Sequence, residues 1–587
     1  MDRRIAAIIV AAIVVIAGAA TYVVLNSGDD GERRPSASAF PESVSEESRV
    51  LPTDTASIRT GSQTLLDSLE EAISSGTDDE LNAATVAAVD RLAEIIDWCT
   101  WSGVYYYMDQ ESQSETYVAW TELRDWYLDA VQTALHEGLS GDRADLVAAA
   151  MDRTFLKASD VEDYIPLGEE ALRIKSRETA LVTQYDAVVA TDYTYTYGGE
   201  TWTIATASAS TTLTSDERSA ILRAIYTEQY TDAAEIYIEL VGVRNDFAQA
   251  LGFENYLEYS YDDIYQRGYS FQDIAGTLSA MEAAGSVWSA LYKASTTDPD
   301  LLRTDLAELN DRGTAWIYST IGSFFGSIDG TLGDFMVYMV EQNLLYYGTQ
   351  STKWAYAEAL IQPHSTVLYI GYTDYEMYGT LVHELGHAAD FALSPYSISL
   401  SYDVAEIQSQ GLEALMCIKS AEYLGDLADN YAVLTLLGFS GTLYMGSAVA
   451  LLETWAYTTE ASGTELTVES LCEEYLSHQD PDCPLTTVFD AGLHWATVPH
   501  VFSTPCYYAS YVTSVLNSLE IFRAADGDLD AGISLYLSIL YQDVDGEYAE
   551  TATACGLTDM TDAEAAAGVL EWLRSYAEGI VGGSARC

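Results

Sequence analysis

Apolar positions recur with a helical period along most of this chain. SQTLLDSLEEAISS (62–75), ELNAATVAAVDRLAEIIDWCTW (80–101) and SDERSAILRAIYTEQYTDAAEIYIELVGVRNDFAQALG (215–252) read as amphipathic helices, the last stopping at a glycine. One stretch alternates instead with period two: in YTYTYGGETWTIA (193–205), β-branched and aromatic residues flank a Gly-Gly turn, which predicts a hairpin. The pattern predicts a mainly α protein with minor β and no internal repeat.

Two segments break the amphipathic pattern. IAAIIVAAIVVIAGAATYVVL (5–25) carries no charge over 21 residues, and at a rise of about 1.5 Å per residue it is long enough for a bilayer core of about 30 Å. Arg3 and Arg4 stand before it, which keeps residues 1–4 cytoplasmic and exports the rest. A cleaved signal peptide is the competing reading, because Ala17-Gly18-Ala19 resembles a cleavage site. The expected location is the cell membrane, single-pass with the bulk of the chain extracellular, or secreted if the segment is removed. Residues 26–50, rich in Ser, Gly, Pro and charge, read as a flexible stalk.

Composition narrows the function. A chain of 587 residues, 49% hydrophobic, can bury a large core. Its net charge of −64 repels nucleic acid and anionic lipid, so nucleic-acid binding is excluded. Seven cysteines are too few and too scattered for a disulfide scaffold; Cys472 and Cys483 bracket a turn and form the one candidate bridge. The lack of a Cys-x-x-Cys pair argues against a thiolate zinc knuckle.

TLVHELGHAADFAL (380–393) holds two of the seven histidines, four residues apart, with a glutamate after the first. Thr373 to Glu376 has capping-box spacing, and Ser394-Pro395 is a stop, so a helix is expected from near 374 to about 392. On it His383 and His387 share a face, while Glu384 projects about 100° away. Two neutral imidazoles can hold a zinc ion, which acidifies a bound water, and the carboxylate is placed to take that water's proton as general base. A third ligand is expected from SYDVAEIQSQGLEALMCIKSAEYLG (401–425), where Glu406 is the candidate and Glu413, seven residues on, lies on nearly the same face. Glu413 would then accept the free N–H of a ligand histidine. A competing reading makes Glu406 the far half of a cap begun by Asp403. One Zn²⁺ per chain is the expected cofactor.

HELGHAADF followed by VAEIQSQGLEAL resembles the zinc metallopeptidases of the thimet oligopeptidase and oligoendopeptidase F family, in its oligoendopeptidase F branch. VLYIGYTDYEMYGTLVHELGH (367–387) resembles that family's strand and motif helix, VRNDFAQALGFENYLEYSYDD (243–263) its upstream helix pair, and GGETWTIA its small β element. VPHVFSTPCYYASYVTS (498–514) resembles its segment of a histidine followed by tyrosines. The resemblance spans roughly residues 180–570 and implies an elongated, nearly all-helical molecule whose deep channel admits short unfolded peptides. It divides the chain into an N-terminal helical region (51–180) and a catalytic region (181–587), and places a substrate-binding His500 and oxyanion-facing Tyr508 and Tyr511, with Tyr507 as the rival ring. The interval between His387 and Glu406 is shorter than the family norm, and the Gly-Gly-Tyr loop of the thimet branch is absent after His500. Both departures touch substrate preference rather than metal binding. The expected function is an extracytoplasmic zinc metalloendopeptidase of oligopeptides. Two alternatives are a catalytically inactive peptide-binding surface protein and a thermolysin-like zinc proteinase acting on folded proteins.

Overall fold

In a computed structural model of the chain, the described residues are 43–158, 161, 164–297, 312–348, 355–371, 377–394, 401–480, 490–542 and 546–581. The segment 5–25, most of the proposed stalk, the predicted cap at Thr373–Glu376 and Cys483 lie outside them. Helices dominate. Three of them, Thr55–Ser75, Asp78–Met108 and Gln110–Leu139, pack on one another around Leu69, Leu92, Trp120 and Leu135. A reciprocal capping box between Thr77 and Glu80 opens the second, and one between Thr214 and Glu217 opens the 37-residue helix Ser215–Leu251.

The predicted hairpin forms from β1 (Thr194–Tyr197) and β2 (Glu200–Thr203), antiparallel with Tyr195 opposite Trp202. Gly198 (φ 64°) and Gly199 (φ 86°) both take left-handed backbone, as a two-residue turn of this hand requires. The hairpin ends two residues earlier than its alternation suggests, because Thr203 turns its hydroxyl to the amide of Thr206 and caps a short helix, Ile204–Ala209. A stalk running to residue 50 is also too long. Val44 is buried in the main core, and the Arg49 guanidinium donates to the Asn343 carbonyl at 3.0 Å and to Tyr346 at 3.3 Å. The chain is therefore docked on the body from residue 44.

A second sheet supports the centre of the molecule. β3 (Leu345–Tyr347), β4 (Ala355–Leu360) and β5 (Ser365–Ile370) are ordered β3-β5-β4, with β5 parallel to β3 and antiparallel to β4. Every residue of β5 is buried, as a central strand covered on both faces must be. One face carries the motif helix, Met377–Leu393, which lies along β4 and β5. Beside it runs the glutamate helix, Tyr402–Leu424, and against that the tyrosine helix, Tyr508–Gly527. Leu385, Leu412, Leu415, Val515 and Leu519 fill the seams. Among the described residues one helical run, Ala428–Ala461, is long and apolar enough to cross a membrane, and 89% of its most apolar window is buried, which marks it as an interior helix.

Asp97 ties the N-terminal helices to this sheet. From the helix Asp78–Met108 its carboxylate accepts the amides of Ile361 (2.6 Å) and Gln362 (3.1 Å) in the β4–β5 turn. Burial pushes its pKa up to about 7, against the pull of those two donors. A carboxyl whose folded pKa lies above its unfolded value of about 3.9 holds its proton more tightly when folded. Its stabilising contribution is thus full below about pH 4 and is lost as pH rises towards 7. Asp97→Asn keeps one acceptor oxygen and cannot titrate, so its stability relative to the native protein should improve steadily from about pH 4 to about pH 7 in urea titrations. A difference that does not change with pH would show that the buried carboxyl is not the source.

Candidate metal centre and active site

Gly386 sets the spacing of the two helices that build the site. It sits between His383 and His387 on the motif helix, and a Cβ there would lie 2.5 Å from the Ser409 Cα and 2.8 Å from the Gln408 carbonyl oxygen. Only glycine lets the backbone of the glutamate helix come this close.

Across that contact three side chains converge. His383, His387 and Glu406 each offer one ligand atom, and these atoms lie within 4.8 Å of one another. The Glu406 Oε2 is 3.6 Å from the His383 Nε2 and 3.5 Å from the His387 Nε2. Tetrahedral zinc with bonds of about 2.0–2.1 Å separates its ligand atoms by about 3.3 Å, so the spacing fits such an ion. The imidazole rings stand 5.0 Å apart at 78°, and all three side chains are buried. Glu413, one helical face along from Glu406, bonds the His383 Nδ1 at 2.7 Å, which leaves Nε2 to face the centre. The helix begins at its N-cap Ser401, so Asp403 lies inside the first turn and does not cap it; the Glu406 carboxylate points to the histidines.

The electrostatics call for a cation. Burial alone would lower the pKa of His383, yet Glu413, Glu406 and Glu384 outweigh it and bring it up to about 9. Burial alone would raise that of Glu406, but His387, His383 and the Tyr507 hydroxyl hold it down at about 2. Three carboxylates thus act on two imidazoles, an acidic setting that suits a divalent ion.

Facing this group is the segment from His500 to Tyr511. The His500 ring lies 5.5 Å from those of Tyr507 and Tyr508 and 5.8 Å from that of Tyr511. The fully buried Arg244 holds the turn that carries His500: it donates to the carbonyls of Val501 (3.0 Å) and Phe502 and pairs with Glu178 at 2.7 Å. Tyr507, whose helical neighbours are Tyr508 and Tyr511, is the ring that reaches the centre, donating its hydroxyl to the Glu406 Oε1 at 2.6 Å. Ser409 adds a donor to the Oε2 at 3.1 Å. The Tyr511 hydroxyl is buried with no hydrogen-bond partner among the described residues, and the charges of Glu384 and Glu406 act on it. Tyr508 packs its ring against His500 and Tyr511. Sequence reasoning held Tyr507 only as a rival and passed over Ser409 and Arg244; a serine three residues after Glu406, on a helix face that is otherwise buried, was the one local signal for Ser409.

The fold matches solved structures. A PZ peptidase A crystallised with an inhibitor superposes with a TM-score of 0.66 at 17% identity, over 89% of this chain and 97% of that one. Oligoendopeptidase F from Enterococcus faecium superposes with a TM-score of 0.56 at 15% identity, over 90% and 99%. The chain has the oligoendopeptidase F fold. No protein-family model and no curated protein matches the sequence, so the likeness is carried by the path of the backbone. The Ser215–Leu251 helix, the hairpin β1–β2 and the motif and glutamate helices that the sequence predicts are all present.

Gly386→Ala forces a methyl group against backbone, which cannot swing aside as a side chain tip can. It should cost about 1–3 kcal/mol of stability and, by parting the histidines from Glu406, weaken zinc binding at least tenfold in chelator competition. Native zinc affinity in this variant would show that the helix contact does not set the site.

Proposed function

We propose that this chain is a zinc metallopeptidase that cuts peptide bonds in short, unfolded oligopeptides outside the cytoplasm. The convergence of His383, His387 and Glu406 at tetrahedral spacing, with Glu384 and the Tyr511 hydroxyl beside them, carries the reading. Zinc held there would supply a Lewis acid that polarises the scissile carbonyl and makes water acidic enough to attack it.

The chain's own groups do the rest. Glu413 fixes the His383 ring with Nδ1–H donated, so that Nε2 keeps its lone pair for the metal. Glu384 leaves the ligand face of its helix and takes the attacking water's proton, then passes it to the departing amine. Tyr511 keeps its own proton at neutral pH because burial, joined by the charge of Glu406, raises its pKa well above the usual phenol value. It is therefore a neutral donor for the carbonyl oxygen as negative charge develops there. His500, framed by three tyrosine rings, is placed to hold the substrate, with Tyr508 as a second ring against it.

Burial supports the size limit. Glu384, His500, Tyr508 and Tyr511 are each no more than 2% exposed, which favours a thin extended chain over a folded surface as substrate. The uncharged run 5–25 behind Arg3 and Arg4 supports an exported, membrane-held enzyme. A pure peptide binder would have no use for Glu384, which disfavours that alternative.

Incubation of a quenched decapeptide beside a stably folded protein tests the reading. The decapeptide should be cut and the folded protein spared, and Glu384→Gln should keep its zinc and lose turnover. Cleavage of the folded protein at a comparable rate would favour a thermolysin-like proteinase, and zinc-loaded protein that cuts neither would favour a binder. Tyr511→Phe should bind zinc normally and lower kcat by about a hundredfold or more, the usual loss for one oxyanion donor. An unchanged kcat would move that role to another donor.

A further inference from the structure

Arg267 is fully buried some distance in sequence from every residue of the site, and its charge is met from several directions. It donates to the Cys506 carbonyl at 2.7 Å and to the Ser510 Oγ at 2.8 Å, and its Nε faces the Asp403 Oδ2 at 3.3 Å. The rings of Tyr261 and Tyr265 lie 4.1 and 4.5 Å from its guanidinium carbon. Asp403 in turn accepts from Tyr269 (2.6 Å), Ser510 (2.8 Å) and Thr513 (2.5 Å).

Two of these partners matter for the metal centre. Asp403 stands three residues before Glu406 on the glutamate helix, and Cys506 immediately precedes Tyr507. Arg267 thus grips the chain next to both ends of the 2.6 Å bond from Tyr507 to Glu406. Cys506 is in left-handed backbone at φ 65°, a conformation a non-glycine residue keeps only when its surroundings impose it. Arg267 holds its carbonyl, and Glu453 accepts its amide at 2.8 Å. Tyr265, which stacks under Arg267, donates to the neighbouring Pro505 carbonyl at 2.6 Å.

We infer that Arg267 is a positioning residue for the metal centre: through the Cys506 carbonyl and Asp403 it aims the Tyr507 hydroxyl at Glu406 and so sets how tightly the centre holds its ion. This rests on the reading of His383, His387 and Glu406 as zinc ligands. Hydrogen bonds to a ligand carboxylate orient it and tune its charge, and their loss costs about 10–100-fold in metal affinity. Lysine could not reproduce the fork that reaches the Asp403 carboxylate, the Cys506 carbonyl and Ser510 together.

Zinc affinity, measured by chelator competition and independent of any peptidase assay, is the test. Arg267→Met and Tyr507→Phe should each weaken zinc binding about tenfold or more, and the two substitutions together should bind no more weakly than Tyr507→Phe alone. Such non-additivity is what action through Tyr507 requires. A general structural role would instead lower the melting temperature while leaving zinc affinity native, or would multiply with Tyr507→Phe; either result overturns the inference. If Arg267→Met does not fold, Ser510→Ala, which removes one of the three grips, should give a smaller loss that vanishes in the Tyr507→Phe background, and persistence of that loss would overturn it equally. A native protein that binds no zinc would bring down the underlying metal reading, a result distinct from native zinc binding with multiplying losses, which sinks the role of Arg267 alone.

Discussion

At Gly386 the motif helix meets the backbone of Ser409 with no room for a methyl group, and this contact fixes how far the two histidines stand from Glu406. Each other feature of the site takes its position from that helix pair. The sheet beneath, with β5 buried along its whole length, gives the motif helix a rigid bed. The glutamate helix then works on two sides: Glu406 and Glu413 face the histidines, while Asp403, about 60° around the helix from Glu406, faces the tyrosine helix through Ser510 and Thr513. One helix thereby relates metal ligands to the phenols opposite them.

The chemistry follows from what such close packing excludes. Inside this core there is little water to solvate charge, so each buried carboxylate must find donors or a cation. Asp403 finds four donors, Glu178 finds Arg244, and Glu406 finds Tyr507, Ser409 and the two imidazoles. Around His383 three carboxylates act on two imidazoles, a setting that suits a divalent ion. The overall charge of −64 is a property of the surface and has little bearing on this local balance.

How much of this could be read from residues alone depended on whether spacing along one element settled the geometry. His383 and His387, one turn apart, and Glu406 and Glu413, two turns apart, were legible because a helix places them whatever surrounds it. The capping boxes at Thr77 and Thr214 and the Gly198-Gly199 turn were legible for the same local reason. Tyr507 was harder. The tyrosine helix starts at Tyr508, and Tyr507 sits in the turn before it, after the left-handed Cys506, so a shared helix face could not reveal which ring reaches Glu406. Asp403 has the spacing of a cap, and only the true start at Ser401 puts it inside the helix. Arg267 meets Asp403, and Arg244 meets Val501, across more than a hundred residues of sequence, and nothing local marks either arginine as buried. The docking of residues 44–50 escaped for the opposite reason: a polar, serine-rich composition hides one buried valine and one anchored arginine.

The central claim, that three side chains drawn together at Gly386 form a zinc site, is tested most directly by X-ray absorption at the zinc edge on the purified protein. The account predicts a four-coordinate shell of nitrogen and oxygen at about 2.0–2.1 Å with the outer-shell scattering of two imidazoles. A shell containing sulfur at about 2.3 Å, or one without imidazole scattering, would contradict it.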